Sequence, residues 1–140
     1  MPLELPNEIF LPVVSDFLSK GKEVELKATG NSMLPYIHSG KDSVVLVRKP
    51  QVEVGDMVLA EIAPTVYVLH RVYAVNGNQV TLMGDGNVRG TEHCRLTDVK
   101  GTVKEIITSN NKHRPVGRGR LWRRLLPVRR YLLAIYRRLP

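Results

Sequence analysis

Three residues far apart in the chain have the types that hydrolytic chemistry needs: Ser32, His70 and Asp85. A serine hydroxyl is a weak nucleophile near neutral pH and needs a base within hydrogen-bond reach. Histidine suits that task because its ordinary pKa falls near 6.5. A carboxylate on the other ring nitrogen fixes the tautomer and stabilises the imidazolium. Ser32 lies in Gly30-Asn31-Ser32-Met33-Leu34-Pro35. Gly30 and Asn31 tolerate the backbone of a tight turn, and Pro35 holds Leu34 extended. The hydroxyl is thereby presented on a short, stiff, non-helical segment. The same residues also have plainer uses: Ser32 as a turn serine, His70 as a strand histidine with a satisfied partner, and Asp85 closing its own Gly84-Asp85-Gly86-Asn87 turn through an Asx bond. Spacing leaves both readings open.

The elements that would position these residues are mostly strands. Glu23–Ala28 alternates charged and apolar side chains, as a half-buried strand does. The apolar run Val44–Arg48 reads as a buried strand, and Met57–Ile62 follows the turn-rich stretch Pro50–Asp56. Pro64 ends that strand. Thr65–Val75, rich in β-branched and aromatic residues, contains His70 and Arg71. Asn76-Gly77-Asn78 is a hairpin signal that pairs this strand with Gln79–Met83. Val99–Ile107 closes the series. Before it, residues 7–20 carry Ile9, Phe10, Val13, Val14, Phe17 and Leu18 at helical spacing, with Asn7 as cap, Gly21 as stop, and Pro12 as a kink or a later start. The expectation is a mainly β protein of six or seven short, antiparallel strands. Its segments are a helical 1–22 packed on the body, a β domain at 23–108, a polar linker at 109–119 and a basic helical tail at 120–140.

Charge divides along the same lines. Residues 106–140 hold Lys112, nine arginines and no acid, for +10, whereas residues 1–105 hold the other 11 basic residues and all 13 acids, for −2. A nearly neutral body with a basic tail points to an anionic partner. In the tail, Arg123, Arg124, Arg129, Arg130, Arg137 and Arg138 fall between Leu121, Trp122, Leu125, Leu126, Leu132, Leu133, Ile135, Tyr136 and Leu139, with Pro127 as a kink. One reading packs the apolar side on the body. The other lays it on an anionic membrane, with the arginines at the headgroups and Trp122, Tyr131 and Tyr136 near the interface. Nucleic acid is disfavoured, since no aromatics are interleaved on a predicted sheet.

Other classes recede. No apolar run approaches the roughly 20 residues that span a bilayer. The first residues carry Glu4 and Glu8 and do not read as a secretory signal. Cys94 is the single cysteine, which excludes an internal disulfide and fits a reducing compartment. It reads as a small buried residue rather than a thiol nucleophile. His38 and His113 receive no role, and no His/Cys spacing supports a metal. The expected location is the cytoplasm, with the tail peripheral on the inner face of the membrane.

Five blocks occur in order: Ser32-Met33-Leu34-Pro35, Gly55-Asp56-Met57-Val58, His70-Arg71-Val72, Gly84-Asp85-Gly86-Asn87 and Asp98-Val99-Lys100-Gly101. Over residues 23–107 this set resembles the serine peptidase superfamily of signal peptidases and LexA-type self-cleaving repressors. The resemblance implies coiled antiparallel β-sheets and Ser32 as nucleophile. Bacterial members use a lysine base; His70 in the matching block resembles instead the signal peptidases of archaea and the endoplasmic reticulum, with Asp85 as the supporting acid. Three departures stand out. The second aspartate expected a few residues on is absent, with Glu92 as the stand-in. Gly30 occupies a position where some relatives carry an oxyanion-hole serine, leaving the Ser32 backbone N–H and Asn31 for that role. The spanning helix of most signal peptidases is missing. The implied activity is a serine endopeptidase acting on a peptide or precursor protein without a cofactor. A self-cleaving repressor fits less well, because about thirty residues precede Ser32. The alternative is a non-catalytic binding module on the same scaffold, docking through the tail.

Overall fold

A computed structural model describes residues 7–27, 37, 41–86, 90–117 and 120–138. Ser32, Asn31 and His38 lie outside the described residues. The chain runs through helix α1 (Asn7–Ser19), strands β1 (Val24–Lys27), β2 (Ser43–Val47), β3 (Met57–Ala63), β4 (Val66–Asn76), β5 (Gln79–Met83) and β6 (Glu92–Arg95), a 3₁₀ turn at Leu96–Asp98, strands β7 (Val99–Ile107) and β8 (His113–Pro115), helix α2 (Arg120–Arg124), a 3₁₀ turn at Leu126–Val128 and helix α3 (Arg129–Arg138). The strands form one sheet in the order β1-β2-β7-β3-β4-β5-β6, and β8 pairs with the end of β7. All pairings are antiparallel.

The period of two in the sequence builds two apolar faces. Met57 and Leu59 join Val14, Leu18, Ile37, Val44, Leu46, Val103 and Ile106 in one cluster, which α1 covers. Gly101 on β7 lets the helix come close: a Cβ there would meet the Leu18 side chain at 2.8 Å. Val58 and Ala60 face the other way, with Val72, Val80, Leu82 and Cys94. The sheet coils around this second face, bringing β6 and the Leu96–Asp98 turn against β3.

The structure adds elements that local patterning did not suggest. β6 pairs with the strand before it, β5 (Val80 opposite Cys94), across a longer connection than a two-residue hairpin turn. The stretch expected to be a linker contributes β8, which sets Arg114 opposite Ile106. Pro12 sits within α1, which runs on through it.

The β3–β4 hairpin turns on Pro64 and Thr65, and Thr65 has φ 63. A β-branched residue is costly there. Its N–H donates to Glu61 Oε2 at 3.1 Å and its hydroxyl to the Pro64 carbonyl at 2.6 Å, which offsets part of that cost. Thr65→Asn is expected to raise stability by about 0.5–1 kcal/mol, because Asn occupies the left-handed region readily. A urea midpoint at or below wild type would refute this.

Candidate active site

His70 and Arg71 are neighbours on β4, so their side chains leave the sheet on opposite faces. His70 lies opposite Val58 and shares its face with Val72. Across β5, Val72 is level with Leu82, and Leu82 with Glu92. Glu92 thus falls on the His70 side, and its Oε1 is hydrogen-bonded to His70 Nδ1. The His70 side chain is only 9% exposed, while the Glu92 side chain keeps partial access to solvent. Among the described residues no hydrogen bond falls on Nε2, the nitrogen that a substrate-side hydroxyl would use.

Arg71 lies on the other face, level with Met83 on β5. Asp85, two residues past Met83, falls on the same side. Both groups are fully buried. Arg71 Nε donates to Asp85 Oδ1 at 3.0 Å, and Nη2 to Oδ2 at 2.6 Å. Its Nη1 donates to the Gly55 carbonyl at 2.9 Å and to that of Gly117. Desolvation pushes the Asp85 carboxyl above the usual range, against the pull of Arg71, Arg129 and His70. Asp85 therefore does not orient the imidazole as expected: strand alternation sends it to Arg71, and Glu92 holds Nδ1 instead. Arg71 acts as a clamp, tying the start of β3, the turn after β5 and the C-terminal segment to one strand.

The tail takes part in this clamp. The Trp122 indole N–H donates to the Asp85 carbonyl at 2.7 Å. Arg129, 0% exposed, donates to the Tyr73 hydroxyl and to the Trp122 carbonyl at 3.0 Å. Its guanidinium carbon stands 5.1 Å from the Trp122 ring centroid and 5.8 Å from that of Tyr73. Arg129 and Trp122 are thus part of the body rather than of a lipid-facing surface. The expectation that counted Arg129 among headgroup-binding arginines is corrected by its burial. A buried cation needs such partners, and nothing in an arginine-rich run marks which member will find them.

The other described histidines have partners of their own. His93 meets Thr81 at 3.2 Å, and His113 meets Glu105 at 2.9 Å. Burial raises the Cys94 thiol above its ordinary pKa, which opposes a thiolate nucleophile. Among the described residues no cluster of three His, Cys, Asp or Glu side chains has metal-holding geometry. No helix among them is long and apolar enough to cross a membrane.

The one signal for Glu92 was an acid just after the Gly-Asp-Gly-Asn turn. Without knowledge of β6, nothing placed it on the histidine's face. No curated protein matches the chain. The Peptidase S24-like family model matches residues 3–104, an interval that takes in β1 to β6, most of β7, His70, Arg71, Asp85 and Glu92. On a mainly antiparallel β fold with that match over most of its length, the chain belongs to the Peptidase S24-like family.

Proposed function

We propose that this protein is a serine endopeptidase in which Ser32, His70 and Glu92 act together. Ser32 Oγ attacks a peptide carbonyl and its proton passes to His70 Nε2. The imidazolium returns that proton to the leaving amine as the C–N bond breaks. Water then attacks the acyl-enzyme with His70 again as base, and the acid product leaves Ser32 free. Glu92 keeps Nδ1–H in place and stabilises the charge that His70 gains.

The observation that carries this reading is the His70–Glu92 hydrogen bond, a base and its orienting carboxylate on a coiled sheet of peptidase family.

The test is labelling by a serine-directed fluorophosphonate. Wild type is expected to react and Ser32→Ala to stay unlabelled. Equal labelling of both proteins would remove the reading.

A further inference from the structure

Helix α3 divides its side chains between two surroundings. Arg129 and Leu133, four residues apart and so on one side, are buried at 0% and 1% exposure. Away from them, Leu132 is 36% and Ile135 62% exposed, with Val128 at 44% just before the helix and Tyr131 also open to solvent. Large aliphatic side chains that the fold leaves in water on one helix face mark an interaction surface. The charge around them has one sign: every ionised side chain from residue 106 onward is basic. Exposed Arg124 belongs to the preceding helix, and Arg130, Arg137 and Arg138 belong to α3 itself.

We infer that the outer face of α3 is a docking surface for an anionic lipid bilayer, lying in the headgroup region with Val128, Leu132 and Ile135 inserted. Charge complementarity selects this occupant. A phospholipid interface offers anions and an apolar layer side by side, the combination that exposed aliphatics in an all-basic segment match. An isolated ten-residue helix is marginal in water. Here Arg129 and Leu133 hold α3 against the body before any lipid arrives, so little ordering cost falls on binding. Packing on the body and binding a membrane are thus tasks of two different faces.

Removing the tail would strip Trp122 and Arg129 from the body, so the test uses point substitutions in the full chain. Wild type is expected to co-sediment with mixed phosphatidylglycerol–phosphatidylcholine vesicles. It should partition about tenfold less onto pure phosphatidylcholine, and release with added salt. Leu132→Asp/Ile135→Asp should lower partitioning by about tenfold or more. Emission from Trp122, the single tryptophan, is expected to stay unchanged, reporting a docked tail. Should the aspartates undock it, Leu132→Ser/Ile135→Ser makes the same comparison. Undiminished binding by the docked variant overturns the inference. So does equal binding to neutral vesicles, or wild type that ignores vesicles and binds duplex DNA or an acidic protein.

Discussion

Glu92→Gln is expected to slow acylation of Ser32 by about 10⁴-fold while leaving the fold in place. The carboxylate only accepts, so it forces the His70 proton onto Nδ1 and leaves Nε2 as base. An amide also donates. Glutamine turned with its NH₂ toward Nδ1 places the proton on Nε2, where it blocks attack. His70→Gln should cost at least as much, since it removes the base altogether. Neither change deletes a large apolar group, and Glu92 keeps partial solvent access, so the urea midpoint should move little. Single-turnover labelling with the fluorophosphonate measures the rates. If Asp85 rather than Glu92 were the orienting acid, Glu92→Gln would be nearly silent, and Asp85→Asn would lose activity with its stability intact. That pattern would overturn the assignment drawn from the hydrogen bond on Nδ1.

Asp85→Asn is expected instead to cost stability, about 3–5 kcal/mol. Arg71 is fully buried, and its guanidinium remains charged whatever surrounds it. Without the carboxylate that buried charge loses its ion-pair partner at 2.6 Å, and Arg129, already buried nearby, adds repulsion. A loss of this size is a large part of the 5–15 kcal/mol that holds a typical domain. The paired variant Arg71→Met/Asp85→Leu keeps the volume and removes both charges, so it should recover most of the loss. Urea unfolding of the three proteins checks this. A drop below 1 kcal/mol for Asp85→Asn would mean that the pair is solvated. A double variant no better than the single would mean that the carbonyls of Gly55 and Gly117 depend on the guanidinium more than the charge balance does.

The two substitutions are complementary because the residues look alike in one dimension. Asp85 and Glu92 both follow β5 by a few residues, and either can be assigned to His70 from the chain alone. Direction decides between them. Asp85 is two residues past Met83, which is level with Arg71, so alternation commits it to the far face. Glu92 returns on β6, level with Leu82 and hence on the face of Val72 and His70. The basic tail raises the same problem. Arg129 and Arg130 are indistinguishable as letters, yet Arg129 reaches Tyr73 and Trp122 in the interior.

Local chemistry was enough to read most of the strands, though not β6 or β8. Alternation in Glu23–Ala28, the apolar run ending at Val47, and the Asn76-Gly77-Asn78 turn each depend on neighbours within a few residues, and β1, β2, β4 and β5 occur at or within a residue or two of the expected places. Composition alone separated the neutral body from the basic tail, and the ordered Gly-Asp and His-Arg blocks pointed to the family. Which acid serves the histidine, which arginine is buried, and that residues 113–115 join the sheet are decisions of the folded chain. Each rests on contacts between positions 6 to 56 residues apart. Such contacts form only once strand register and sheet coiling are set, and no local pattern encodes which side chains will then share a face.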